Sequence, residues 1–369
     1  MQATDNPVLE LPFGQLPDPD EFIQAAMAWH FDPDTGSPFW IERAETLDFD
    51  PLTDVKTHAD LALFPNVTGE LRDVPVTKLI PRGYGARPDV ISVIESGGTT
   101  GAPKALPLMA DFAALMVDRD VWIFEHYGLT REKNWLCFSP GGPHGAFEQA
   151  KRGARAWGVL PFGIDMDPRW VKKQIEAGRQ KEADAYAEHL LDQAIHILRR
   201  QDIGYIRLTP PILARIVRRE AMIDLIRANV EYIHWGGASM DADTRYFYRT
   251  EVFDGITLVG SYGTTMALGS GGAQRFGAED ADETIFDPTL SPYTTFAVRD
   301  KDSGEPVAYG QRGQLVVHHV SKALLLPNNA ERDEVTRVAP QDPDQIGDSI
   351  ADIAPLRSFK GATVTEGVY

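Results

Sequence analysis

The sequence predicts an α/β protein in which mostly parallel strands are layered with helices, next to a small β-rich subdomain. Short β-branched apolar runs that end in glycine-rich turns alternate with helical stretches, as parallel strands joined by crossover helices do. Near the carboxyl end, two strand-like runs are separated by a turn instead of a helix, which predicts an antiparallel hairpin. The chain has 369 residues, 43% of them hydrophobic, which is enough for a large core.

The elements follow in order. Residues 1–85 are rich in proline and aspartate and are predicted to form an irregular, partly helical wrap around an α/β body at 86–290. Thr209 and Pro210 suit the N-cap and first position of one helix in that body. Strands are predicted at 89–95, 134–139, 231–235 and 255–260, the first of them buried, and helices at 111–127 and 182–200.

The β-rich part is predicted at 291–369, with the hairpin formed by 294–299 and 314–318. His318 and His319 would point to opposite faces of their strand, so they are not expected to bind one metal together. The polar stretch 328–344 is interpreted as a mobile loop, and Asp333 as solvated charge within it.

Charge and composition exclude several classes of function. The 36 basic and 54 acidic residues give a net charge of −18, which opposes binding to nucleic acids and anionic membranes. No apolar stretch is long enough to cross a bilayer, and the start of the chain has no export signal, so a cytoplasmic protein is expected. The single cysteine, Cys137, excludes an internal disulfide.

A glycine-rich turn directly after the first predicted strand is the most informative segment. It reads Ser96-Gly97-Gly98-Thr99-Thr100-Gly101-Ala102-Pro103-Lys104. Glycines let backbone N–H groups approach phosphate oxygens, and the hydroxyls and Lys104 add donors and positive charge. The turn does not match the common loop GxxxxGK[ST], because Pro103 removes a donor and Ala105 replaces the hydroxyl that binds magnesium.

These nine residues resemble the phosphate-handling signature of the adenylate-forming superfamily, which includes acyl- and aryl-CoA ligases, peptide-synthetase adenylation domains and luciferases. Further segments resemble that family in the same order: Pro143-His144-Gly145, Gly236-Gly237-Ala238, Ser261-Tyr262-Gly263-Thr264-Thr265 and the segment that ends in Asp348. The resemblance covers residue 89 to the end. Residues 30–85 are similar to the phenylacetate-CoA ligase-like branch, and within it to adenylating proteins of phenazine (griseoluteic acid) antibiotic pathways.

The resemblance implies that ATP and Mg²⁺ serve to convert a carboxylic acid into an acyl-adenylate, with Lys104, Thr265 and His144 as catalytic residues. The glycine-rich turn would hold the ATP phosphates, and Asp348 would accept both ribose hydroxyls. The rest of the nucleotide would contact Gly237, Ala238, Ser261, Tyr262, Gly263, Thr264 and Thr265. The acid would lie among His144, Phe147, Trp235, Gly236 and Ala267, an aromatic lining that favours an aromatic, phenazine-type acid.

Two departures from the family pattern leave alternatives open. Met266 stands where the family has a magnesium-binding glutamate, so no metal ligand is assigned and phosphates, water or another carboxylate would hold the ion. The chain ends soon after residues 357–361, which resemble a hinge, so the large domain is expected without the mobile C-terminal domain. The acyl group would then pass to an external acceptor or carrier protein. An aryl-CoA ligase and a catalytically impaired nucleotide-binding homologue are the alternatives, and a homodimer is compatible with the sequence.

Overall fold

The computed structural model describes residues 6–97, 102–269, 271–281 and 283–356, and the backbone of residues 358–359 and 362–363. The α-helices in these ranges are α1 Pro19–Phe31, α2 Pro38–Ala44, α3 Pro51–Asp54, α4 Ala110–His126, α5 Gly145–Trp157, α6 Pro168–Glu176, α7 Gln180–Leu198, α8 Pro210–Ile216, α9 Glu220–Asn229 and α10 Ala242–Phe247. Short 3₁₀ helices cover Pro7–Leu9, His58–Leu63, Glu70–Arg72, Val76–Leu79, Arg82–Tyr84 and Thr265–Ala267, and a π-helix covers Tyr248–Val252.

The strands of the described residues begin with a hairpin and end with a pair of two-residue strands. They are β1 Val90–Glu95, β2 Ala105–Met109, β3 Asn134–Phe138, β4 Pro161–Ile164, β5 Ile203–Leu208, β6 Tyr232–Gly236, β7 Thr257–Tyr262, β8 Gly272–Gln274, β9 Phe286–Asp287, β10 Thr294–Arg299, β11 Arg312–Val320, β12 Leu325–Val338, β13 Ser349–Pro355, β14 Ser358–Phe359 and β15 Ala362–Thr363.

One mixed sheet contains most of these strands. Its order is β10-β11-β12-β13-β9-β8-β7-β6-β5-β3-β4. The five strands β4, β3, β5, β6 and β7 are parallel, as predicted, and the other six pair antiparallel. The predicted hairpin is confirmed, with Thr295 opposite His318. The fold is therefore mixed α/β, and the predicted β-rich part continues the same sheet.

The first predicted strand lies outside this sheet. β1 pairs antiparallel with β2, so that Glu95 lies opposite Ala105 at the two ends of the glycine-rich turn. Ile94 alone in β1 is buried, so the prediction of a buried strand was wrong. Ser96 N donates to Lys104 O at 2.9 Å, and Lys104 N donates to Ser96 Oγ at 2.9 Å. These bonds fix the base of the turn.

Helices cover both faces of the parallel strands. Strand side chains alternate between the two faces, and each face carries apolar side chains that the helices bury. On one face, Trp135, Tyr205 and Tyr232 pack beneath α4 and α5. On the other, Ile206 and Ile233 pack with α7, α8 and α9. These helices leave the carboxyl edge of the strands uncovered for a site.

The N-terminal wrap has its own core against the antiparallel strands. Trp40 Nε1 donates to Leu325 O at 2.7 Å, and His30 Nε2 lies 2.7 Å from Ser321 O. Buried side chains of α1, including Phe22 and Met27, pack in the same cluster. Among the described residues, no helix is both long and apolar enough to span a membrane.

Candidate functional site

A cavity of about 990 Å³ opens at the carboxyl ends of β3, β5, β6 and β7. This is the edge at which parallel sheets bind ligands. The base of the glycine-rich turn forms one wall, and residues 330–333 of β12 form another. The cavity therefore joins segments that are more than 200 residues apart in the chain.

Most of the site residues predicted from the sequence line this cavity. They are Ser96, Gly97, Lys104, His144, Trp235, Gly236, Gly237, Ala238, Ser261, Tyr262, Gly263, Thr264 and Thr265. Gly98, Thr99, Thr100 and Gly101 lie outside the described residues. Phe147, Ala267 and Asp348 are not among the residues that line the cavity.

The prediction that Phe147 and Ala267 contact the acid is corrected by their packing. The Phe147 ring lies over β4, where a Cβ added to Gly163 would approach Phe147 Cζ to 2.4 Å. His144 caps α5 and lines the cavity, whereas the Phe147 ring packs against Gly163 of β4 and does not line it. Ala267 is fully buried at the end of a 3₁₀ turn.

Of Asp333 and Asp348, it is Asp333 that lines the cavity. Asp348 is 5% exposed, and its carboxylate accepts hydrogen bonds from Arg337 Nε at 2.8 Å and Val298 N at 3.1 Å. Asp333 lines the cavity and accepts a hydrogen bond from the Tyr262 hydroxyl at 2.8 Å. The loop interpretation of 328–344 was wrong over residues 328–338, because Leu325–Val338 is one strand. The β-branched residues Val335, Thr336 and Val338 were the sequence signal for it.

A second carboxylate beside Asp333 was also missed. Glu331 Oε1 accepts a hydrogen bond from Thr264 Oγ1 at 2.6 Å. Burial and the charge of Asp333 raise the pKa of Glu331, while the Thr264 hydrogen bond and the Lys104 charge oppose that rise. Met266, at the position that the resemblance assigns to a metal ligand, is 2% exposed and packs in the core of the N-terminal wrap.

Tyr262, at the end of β7, and Gly236 and Gly237, at the end of the adjacent strand β6, line one part of the cavity, which we call the slot. Gly237 has φ of +80°, a conformation that L side chains rarely adopt, and a Cβ on Gly236 would lie 3.0 Å from Ser261 O. Burial and the nearby Asp333 and Glu331 charges raise the pKa of Tyr262 well above 10, so its hydroxyl stays protonated and donates to Asp333. Glycines that admit close backbone approach, beside an aromatic ring, suit a flat ring such as a purine.

His144 lines the cavity on the side of α5. Its Nδ1 accepts from Ala146 N at 3.3 Å, and burial together with the charges of Arg207 and Arg169 lowers its pKa. A neutral imidazole that accepts at Nδ1 carries its proton at Nε2, so His144 can donate to a ligand.

Comparison with known proteins shows the class of fold. No family model and no curated protein matches the chain. The fold is similar to that of crystal structures of 2-hydroxyisobutyryl-CoA ligase. One structure of that enzyme, in the postadenylation state with 2-HIB-AMP, aligns with a TM-score of 0.64 and 15% identity over 90% of this chain and 66% of the ligase. Another structure of that ligase, with 2-HIB-AMP and CoA in the thioesterification state, aligns with a TM-score of 0.67 and 14% identity. This alignment covers 94% of this chain and 73% of the ligase. The chain thus spans about two thirds to three quarters of that ligase's length.

Proposed function

We propose that the protein activates a carboxylic acid with ATP, forming an acyl-adenylate and releasing pyrophosphate. The observation that carries the proposal is the convergence, in one cavity, of Lys104 at the glycine-rich turn, the slot beside Tyr262, and the Asp333 carboxylate. These are the three chemistries that a nucleotide needs: a cation for phosphates, an aromatic face for the base, and an acceptor for ribose hydroxyls. The adenylate named in the ligase structures of the same fold supports the proposal.

The reaction requires mainly that the carboxylate is aligned with the α-phosphorus and that the phosphate charge is neutralised. A carboxylate oxygen forms a bond to the α-phosphorus, and the bond from that phosphorus to the bridging oxygen breaks, so pyrophosphate leaves with the electron pair. Repulsion between the carboxylate and the phosphates opposes this approach. Lys104 would offset it at the departing pyrophosphate, and Thr265 would donate to the α-phosphate. Asp333 takes the ribose role that the sequence assigned to Asp348.

Magnesium would find oxygen ligands in this cavity. No group of three metal-binding side chains occurs among the described residues. Mg²⁺ is, however, commonly held by one or two carboxylates together with substrate phosphates and water. Glu331 and the Thr264 hydroxyl offer such oxygens next to Lys104, whereas the Met266 thioether is a poor ligand for a hard cation. When bound, the ion would neutralise phosphate charge, and we propose Glu331 as the carboxylate that faces it.

The finer proposal is an aromatic, phenazine-type acid that passes to an external acceptor or carrier protein. Its support is the resemblance of residues 30–85, together with the small residues Gly145, Ala146 and Gly269, which line the cavity near His144. The corrected position of Phe147 removes one of the rings expected around the acid. An aryl-CoA ligase is the second candidate, because a ligase of this fold binds CoA together with its adenylate.

The test is ATP–pyrophosphate exchange with a panel of aromatic acids, including phenazine-1-carboxylate. We expect exchange with at least one acid and its loss in Lys104→Ala. Lys301→Ala is the matched control, since Lys301 is exposed on a turn and pairs with Asp302. Nucleotide binding without exchange for any acid would contradict an enzyme and favour a binding protein. A thioester formed with added CoA would favour the ligase.

A further inference from the structure

Arg207 is a cation in the cavity that the proposed chemistry does not use. It lies near the end of β5, is half-buried and lines the cavity. Within the described part of the chain, no side chain or carbonyl forms a hydrogen bond or salt bridge with its guanidinium. Two other enclosed arginines pair with carboxylates: Arg119 with Asp120, and Arg337 with Asp348.

The two residues that pair with Arg207 on the neighbouring strands carry no negative charge. In register, Arg207 lies between Cys137 of β3 and His234 of β6. Burial raises the pKa of Cys137 to about 12 and lowers that of His234 well below 6.5, so both are neutral near pH 7. His234 is held between the Tyr205 hydroxyl at 2.7 Å and Ser261 Oγ at 2.8 Å. A partly desolvated guanidinium in such surroundings costs free energy unless an anion binds it.

Arg207 lies on a different face of the sheet from Tyr262 and two strands away from it. Strand alternation places it on the sheet face that carries Tyr205 and His234, opposite the face that carries Leu208 and Tyr262. β5 is separated from β7 by β6, so the two strand axes are about 10 Å apart. The phosphates would lie beyond β7, near Thr264 and Thr265. Arg207 therefore faces the part of the cavity that the nucleotide leaves to the acid, on the side of His144.

We infer that Arg207 binds a second carboxylate on the acid, remote from the carboxylate that is adenylated. The substrate class is then a rigid aromatic dicarboxylate rather than a monocarboxylic acid. The fork of the guanidinium matches a carboxylate in a bidentate hydrogen bond, and its charge offsets the desolvation of that group. This inference rests on the proposed function for the identity of the acid site, and it adds the residue that selects among acids.

The test compares diacids with neutral mimics of one of their carboxylates. The probes are isophthalate and naphthalene-2,6-dicarboxylate, each with its monoamide, titrated calorimetrically into the full chain without ATP. We expect the wild-type protein to bind at least one diacid about 10- to 100-fold more tightly than its monoamide, the range of a charged hydrogen bond. Arg207→Gln should remove that preference, and Arg207→Lys should keep part of it.

Controls separate a loss of recognition from a loss of structure. AMP should bind Arg207→Gln as it binds the wild type, which shows that the cavity remains folded. Arg155→Gln removes a cation from the exposed side of α5 and should keep the preference for the diacid. Equal wild-type affinity for diacid and monoamide, no binding of either diacid, or a preference that survives in Arg207→Gln would overturn the inference.

The exchange assay distinguishes this failure from failure of the proposed function. Arg207-dependent binding of a diacid without pyrophosphate exchange would overturn the adenylating activity and support the binding role of Arg207. Exchange that is as efficient with monocarboxylic acids as with diacids would support adenylation and overturn the role of Arg207.

Discussion

Replacing Asp333 by Asn removes one negative charge from the cavity while it keeps the shape of the side chain. Asn Oδ1 can still accept the hydrogen bond from the Tyr262 hydroxyl, so the wall of the cavity should stay in place. A hydrogen bond to a charged group contributes about 1.5–3 kcal/mol. If Asp333 accepts from the ribose hydroxyls, Asp333→Asn should raise the Kd for AMP by about 10- to 100-fold. Its stability should change little, because Asp333 and Glu331 repel each other.

Asp348→Asn is the matched variant and should behave in the opposite way. The Asp348 side chain is 8% exposed and pairs with Arg337, which is 20% exposed. Removing one partner of a fully buried pair costs about 3–5 kcal/mol, and partial exposure of Arg337 reduces that cost to about 2 kcal/mol. Affinity of the folded protein for AMP should stay unchanged.

The two variants are compared by isothermal titration with AMP and by urea unfolding. The expected result is weak AMP binding with normal stability for Asp333→Asn, and normal binding with reduced stability for Asp348→Asn. The reverse assignment, with AMP affinity lost only in Asp348→Asn, would refute the placement of the ribose on Asp333.

Three further predictions concern metal, pH and thiol reactivity. Glu331→Gln should weaken binding of Mn²⁺–ATP, followed by electron paramagnetic resonance, more than binding of metal-free AMP; an equal loss for both would contradict a role at the metal. Burial lowers the pKa of His30 to about 4 and that of His319 to about 3. Both stay neutral in the folded protein, while their counterparts in the unfolded chain take up protons below about pH 6.5. As the pH is lowered from about 6.5 to about 4, the free energy of unfolding should therefore fall by about 1.4 kcal/mol per pH unit for each histidine. A flat urea-unfolding profile from pH 7 to 5 would contradict this. Cys137 is 0% exposed with its pKa raised to about 12, so it should react with a thiol reagent only in denaturant, and rapid labelling of the native protein would be inconsistent with the structure.

The local sequence pattern predicted the helices and strands of the parallel part of the sheet closely. The helix predicted at 182–200 is Gln180–Leu198, and Thr209 with Pro210 begins α8 as expected. The glycine-rich turn could be located because its composition is unusual and a strand precedes it. These signals depend on neighbours in the chain, which a sequence displays directly.

The errors arose where distant pairing decides the outcome. Asp348 follows a glycine as the resemblance requires, yet the pairing of β12 with β13 turns Asp333 to the cavity and leaves Asp348 against Arg337. Phe147 is close to His144 in sequence, but its ring packs against Gly163 of β4, a contact that the spacing within α5 does not reveal. Polar residues 328–338 suggested a loop, because the partner strands that satisfy their backbone groups lie elsewhere in the chain.

A crystal structure of the protein soaked with AMP would show directly where the nucleotide binds. We expect the adenine beside Tyr262 and the Gly237–Ala238 backbone, the ribose hydroxyls on Asp333, and the phosphate directed towards Lys104. AMP bound outside this cavity, or with its ribose on Asp348, would contradict this placement.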